Sequence, residues 1–206
     1  MEIKTVEVTG IESAIMRMRN PYSSWVKSDS GHVMNELIIG KKDMDLSVRL
    51  QKAGPEHCKH LRFVHVVADI TAPLFYWKQF DTYRIGVEKI STSTMHTLTA
   101  NPLTLDDFEH NEHAEVALSY VIGILNGWME EYHDLIAQKK QDEAKEVWTA
   151  IIQLLPESYL QMRSVQISYA TLRNIIHQRK GHKLGEWKTF IDWCHTLPEE
   201  WMLFDE

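Results

Sequence analysis

The chain has 206 residues, 44% of them hydrophobic, which is enough to bury a full core, and 1–206 is read as one domain. A formal net charge of -7 and the absence of any long Lys/Arg block argue against a surface for double-stranded nucleic acid, while a local arginine pocket for a small anion stays open. No apolar run approaches a membrane span, and two cysteines, Cys58 and Cys194, make no disulfide framework, so a reducing cytoplasm is the expected compartment.

The opening residues MEIKTVEV alternate as a strand over Glu2 to Val8 and lack the basic flank and apolar stretch of a signal peptide. Thr9-Gly10-Ile11-Glu12 has capping-box spacing for a helix carrying Ile15, Met16 and Met18. Asn20 to His32, rich in turn formers and holding Trp25, reads as a polar loop that is mobile without ligand. A helix from Asp43 to about Ala53 stops at Gly54-Pro55, and Arg62 to Ile70 reads as a buried strand. Pro73 suits the first turn of a helix carrying Tyr76, Trp77, Gln79 and Phe80, which ends near Arg84-Ile85-Gly86.

Beyond a polar segment with Pro102 and Asp106-Asp107 the chain turns helical. Glu115 to Ala137 and Asp142 to Leu155 show helical periodicity, with Pro156 closing the second. Ser168 is placed to cap Tyr169 to Arg179, Gly181 ends that helix, and Gly185 to Leu197 forms the last one. No element is assigned between Pro156 and Ser168. The sum is an α+β fold with more helix than strand and no internal repeat.

The stretch Ala72 to His96 concentrates the candidate chemistry, because an arginine and a run of hydroxyls just past a helix end suit a phosphate or a nucleotide ring. Each candidate also has a plain structural reading. Arg84 and Arg179 suit solvated cations at helix C-termini, Gln79 a surface position, and Ser91 to Thr94 a strand edge. The pairs His57/His60 and His110/His113 have metal-ligand spacing, but structural or exposed histidines fit them better and no metal site is assigned.

In order and spacing, four stretches resemble the flavin-dependent thymidylate synthases over about Ala53 to Pro198. Glu56-His57 is similar to that family's Glu-His pair. Ala72-Pro73-Leu74-Phe75 with Gln79 resembles the helix entering its Arg-His-Arg signature, and Leu154-Leu155-Pro156 its Leu-Pro hinge. Arg179 stands twenty-three residues past Pro156, where the family has a substrate-binding arginine. The resemblance implies a helix-rich α+β domain of that type, assembled as a homotetramer. It further implies FAD as cofactor, dUMP as substrate, and methylenetetrahydrofolate and NADPH as co-substrates.

Carried over residue by residue, it gives Thr92 and Arg179 catalytic roles. Gln79, Arg84, Ser91, Thr92, Ser93 and Arg179 would bind substrate, and His57, Arg84 and Ser168 the flavin. The signature itself departs from the family. Thr82-Tyr83-Arg84 stands for Arg-His-Arg, Ile90 for an acid, Thr94 for an arginine, Ile152 for an arginine and Ser168 for an asparagine. These losses imply two further readings: a non-catalytic relative that binds a nucleotide or a protein, and an enzyme of altered one-carbon chemistry on pyrimidines.

Overall fold

Residues 1–205 are described by a computed structural model. In chain order the regular elements are β1 (Glu2–Thr9), α1 (Ile11–Arg17), β2 (Gly31–Val33), β3 (Glu36–Ile38), α2 (Lys41–Ala53), β4 (His65–Pro73) and α3 (Leu74–Phe80). They continue with β5 (Val87–Ser91), α4 (Thr94–Thr97), α5 (Glu112–Ala137), α6 (Gln141–Leu154), β6 (Leu160–Ser168), α7 (Tyr169–Arg179) and α8 (Gly185–Cys194). The fold is α+β and helix-rich: a four-stranded sheet in the order β1-β4-β6-β5, a separate β2-β3 hairpin, and eight helices among the described residues. No helix among these residues is long and apolar enough to cross a membrane.

Several boundaries move from their expected places for identifiable reasons. The capping box at Thr9 does not form. Gly10 takes the N-cap position at φ 86, because a Cβ there would stand 1.9 Å from the Phe63 carbonyl oxygen, which only glycine avoids. The strand expected from Arg62 begins at His65, since Lys59–Phe63 winds into a 3-10 turn that buries His60 and Leu61. Pro73 ends β4 instead of opening α3. The first amides of α3, Leu74 N and Phe75 N, donate to the carbonyls of Tyr159 (3.1 Å) and Glu157 (3.0 Å). Helix α5 starts earlier than its apolar periodicity suggests because the Asn111 side chain accepts from His113 N and Ala114 N.

The chain divides into two compact units, the division falling after Ile70 in β4 and after Arg163 in β6. The first comprises Met1–Glu2, Thr71–Thr82 and Ser91–Arg163. Its core is the hairpin of α5 and α6. Leu118, Ile122, Leu125 and Met129 follow a helical stripe on α5 and pack with Ile151, Leu98, Leu103 and Phe108. Ile152, where the resembled family has an arginine, packs against this apolar cluster. On α3 the buried Tyr76, Trp77 and Phe80 interlock edge to face, and Trp77 Nε1 donates to the Gln161 carbonyl at 2.9 Å.

The second unit comprises Ile3–Ile70, Tyr83–Ile90 and Ser164–Glu206, of which Glu206 lies outside the described residues. Val66, Ala68 and Ile70 alternate along β4 and are fully buried, as are Leu172 and Ile175 of α7 and Trp187 and Phe190 of α8. The segment Asn20 to His32 is organised here into two 3-10 turns and the first residues of β2. It closes on the buried Asp43, which takes a 2.5 Å ion pair from Arg19 and hydrogen bonds from the hydroxyls of Ser28 and Ser30 and the amides of Asp29 and Ser30. Burial opposes ionisation of Asp43, but the donors from Ser28, Ser30 and Arg19 hold its carboxyl below the usual range.

Candidate functional site

In the second unit the altered signature is built into the end of α7. Tyr83 is 8% exposed, and its hydroxyl accepts from Arg179 Nε at 2.8 Å and donates to Gln178 Oε1 at 3.0 Å. The Arg179 guanidinium lies 4.5 Å from the Trp187 ring centroid and 5.4 Å from that of Tyr83. Arg179 is therefore a half-buried cation oriented by a phenol and an indole. Tyr83, a departure from the resembled pattern, and Trp187 form one packed stack with it, their own rings 6.1 Å apart and edge to face.

Arg84 is exposed, and no ion pair or side-chain hydrogen bond holds it among the described residues. The turn after it is fixed by Gly86, at φ 69, where a Cβ would come within 2.9 Å of both Ser168 Oγ and Thr171 Oγ1. Ser168 N donates to the Gly86 carbonyl at 3.0 Å, and Thr171 Oγ1 donates to the Ile85 carbonyl at 2.8 Å. Ser168 itself is buried, and its Oγ caps α7 by accepting from Thr171 N at 3.3 Å. His57 is exposed, its Nε2 3.8 Å from Glu56 Oε1. His60 is buried against Ser47 Oγ at 2.8 Å, and burial lowers its pKa to about 4, so it is neutral at pH 7. Burial pushes both thiols, Cys58 and Cys194, above the usual range, which leaves neither as a thiolate nucleophile at neutral pH.

In the first unit Gln79 sits half-buried on α3, and its carbonyl accepts from Thr82 Oγ1 at 2.7 Å. Ser91 is the exposed last residue of β5. Thr92 is held on both sides. Its amide and Oγ1 donate to the Met162 carbonyl (3.0 and 3.1 Å), and its own carbonyl accepts from Gln161 Nε2 at 2.7 Å. Ser93 precedes the single turn α4, its carbonyl accepting from His96 N, Thr97 N and Thr97 Oγ1.

The residue missed in the sequence is Arg163. Its Nη1 donates to both carboxylate oxygens of Asp81 (3.0 and 3.1 Å), its Nε donates to Gln161 Oε1 at 3.0 Å, and its guanidinium lies 4.4 Å from the Trp77 ring centroid. Arg163 thus orients Gln161, and Gln161 orients Thr92. The available signal was the period-two spacing of Gln161, Arg163, Val165 and Ile167 on one face of β6.

No protein-family model matches the chain, and no curated protein matches it. Solved structures do. Two structures of the flavin-dependent thymidylate synthase ThyX from Helicobacter pylori, each with FAD and dUMP, superpose at TM-scores of 0.71 and 0.70 with 19% sequence identity. Each match covers 98% of this chain, and 98% and 97% respectively of the enzyme chains. The chain has the fold of these enzymes along nearly its whole length.

Proposed function

We propose that the protein binds a pyrimidine nucleotide of the dUMP class, with methylation of dUMP to dTMP as the specific reaction, and that it does so as a homotetramer in the cytoplasm. The observation that carries this reading is the fold match over 98% of the chain to enzymes in complex with FAD and dUMP. In it Arg84 and Arg179 serve as phosphate ligands, Arg179 through a guanidinium already oriented by Tyr83 and Trp187. Gln79 and the hydroxyls of Ser91, Thr92 and Ser93 take the substrate-binding roles that the sequence resemblance assigns them, Thr92 Oγ1 as an acceptor while its hydrogen is held by the Met162 carbonyl. Thr92 keeps a fixed backbone through Gln161 and Met162.

When bound, FAD supplies the chemistry that moves a one-carbon unit from methylenetetrahydrofolate to C5 of dUMP, with NADPH as reductant. The donor set fits that cofactor only in part. Exposed Arg84 and His57 suit a pyrophosphate. Ser168 Oγ is turned into the α7 cap, and Thr82 and Tyr83 add no charge where the resembled family has Arg-His. Weak FAD binding follows, with flavin lost on purification. A visible flavin spectrum that survives extensive dialysis contradicts this and favours a full enzyme.

A second reading, a non-catalytic relative that binds a nucleotide or a protein, is favoured by a specific observation. Ile152 packs half-buried against the α5-α6 core and Ile90 is a 79% exposed apolar residue, where the family has charged groups. Calorimetry with dUMP, dTMP and dCMP separates the readings. Saturable binding of dUMP that falls about ten- to a hundredfold in Arg84→Ala supports a nucleotide site, the loss expected for one charged hydrogen bond. No binding of any of the three leaves the scaffold reading.

A further inference from the structure

Thr92 has its hydrogen-bonding groups engaged by two consecutive residues of β6. Its amide and its hydroxyl hydrogen both go to the Met162 carbonyl, at 3.0 and 3.1 Å, and its own carbonyl accepts from Gln161 Nε2 at 2.7 Å. A threonine hydroxyl has a single hydrogen, so what the exposed Thr92 side chain still offers a ligand is the lone pairs of Oγ1. A backbone carbonyl is too weak a base to take the hydroxyl proton, which leaves Oγ1 an intact hydroxyl and not an activated nucleophile.

Two more side chains hold this arrangement. The buried Gln161 amide can present either its oxygen or its nitrogen to Thr92. Arg163 decides which. A guanidinium has donors only, so Arg163 Nε, at 3.0 Å, draws Gln161 Oε1 to itself and turns Nε2 towards the Thr92 carbonyl. Arg163 is fixed in turn by both carboxylate oxygens of Asp81, at 3.0 and 3.1 Å, and by the Trp77 ring, whose centroid is 4.4 Å away. All of these residues belong to the first unit.

We infer that Thr92 Oγ1 accepts the N3–H of the pyrimidine, which makes Thr92 a specificity-determining contact and Gln161 and Arg163 its positioning residues. The inference rests on the dUMP reading above. A phosphate monoester presents acceptor oxygens with a charge of about -1.5 to -2, which an Oγ1 with lone pairs alone repels, so the phosphate stays with Arg84 and Arg179. The donors left on dUMP are the 3′-hydroxyl and the imide N3–H. A hydroxyl donates or accepts as its surroundings require, whereas the imide N–H can only donate and is left unpaired unless an acceptor meets it. Uracil and thymine carry that hydrogen. Cytosine has a lone pair at N3, which would face the lone pairs of Oγ1, so dUMP and dTMP should bind more tightly than dCMP.

The test is calorimetry on the full chain with dUMP and with 3-methyl-dUMP, in which a methyl group replaces the N3 hydrogen. The wild type should prefer dUMP by about tenfold or more. Thr92→Val stays close to threonine in shape and removes the oxygen; it should weaken dUMP by about tenfold and bring the two ligands within about twofold of each other. Thr92→Ser, which keeps the oxygen, should keep the preference. Gln161→Glu still accepts from Arg163 but sets a carboxylate against the Thr92 carbonyl. It should shrink the preference and leave 3-methyl-dUMP unaffected, whereas a merely structural role for Gln161 would weaken both ligands alike. Unchanged dUMP affinity in Thr92→Val overturns the inference. A preference for dUMP that persists in that variant does so too, because shape alone then excludes the methyl group. Equal weakening of both ligands in Thr92→Val puts Oγ1 on the 3′-hydroxyl and overturns the N3 assignment. A full preference in Gln161→Glu removes Gln161 and Arg163 from the positioning role. A wild type that binds neither ligand overturns the dUMP reading together with this inference, while dUMP binding that depends on Arg84 but not on Thr92 overturns this inference alone.

Discussion

Replacing Tyr83 by Phe removes one oxygen and leaves the ring's packing in place. That oxygen accepts the Arg179 Nε hydrogen bond at 2.8 Å and donates to Gln178 at 3.0 Å. A hydrogen bond to a charged group is worth about 1.5–3 kcal/mol and a neutral one about 0.5–1.5 kcal/mol. Arg179 is half-buried and Gln178 exposed, so water takes over part of both, and the net loss falls to about 1–2 kcal/mol. The stacking of Arg179 on Trp187 at 4.5 Å is untouched. For a chain of this length that loss lowers the thermal midpoint by about 2–8 °C, read by circular dichroism. If Arg179 is a phosphate ligand oriented by Tyr83, dUMP affinity should fall with it. A midpoint within about 1 °C of wild type, with nucleotide affinity unchanged, would refute the claim that the phenol fixes Arg179.

Three further outcomes are expected. His60 has a folded pKa of about 4 against 6.5 unfolded, so the unfolded chain binds the extra proton between these values. The stability present above pH 6.5 is lost as pH falls towards 4, by on the order of 3 kcal/mol. The variant His60→Gln should flatten that part of the stability profile, and an unchanged slope would assign the acid sensitivity to other groups. Asp43→Ala leaves the buried Arg19 charge and the donors of Ser28 and Ser30 without their acceptor. Urea titration should show a loss of about 3–5 kcal/mol, with faster amide exchange over Asn20 to His32; slow exchange there in the variant would mean that Asp43 does not organise the segment. Gly86→Ala puts a Cβ 2.9 Å from two hydroxyl oxygens at a positive φ and should cost upward of about 1 kcal/mol. A neutral Gly86→Ala would show that the turn relaxes freely.

What could be read from the sequence was what is local. Helix α7 follows from Ser168 and Gly181 within its own few residues, and α5 from the spacing of Leu118, Ile122, Leu125 and Met129. β6 was not assigned because its early core-facing positions hold Gln161 and Arg163, and their partners Thr92 and Asp81 lie 69 and 82 residues away. Tyr83 looks like simple erosion of a signature in the sequence. Its compensating partner, Arg179, is 96 residues away, and Trp187 completes the stack from yet another helix. In the same way the loop reading of Asn20 to His32 follows its composition, whereas its order comes from Asp43, 13 and 15 residues beyond the hydroxyls it binds.

The central claim, that this fold holds a pyrimidine nucleotide, is tested most directly by calorimetric titration of dUMP into the wild-type protein and into Arg84→Ala. Arg84 is exposed and holds no partner among the described residues, so its removal should leave folding intact. The account predicts saturable binding to the wild type and an affinity about ten- to a hundredfold weaker in the variant, at an unchanged thermal midpoint. No detectable heat with the wild type, or equal affinity in the two proteins, would contradict it.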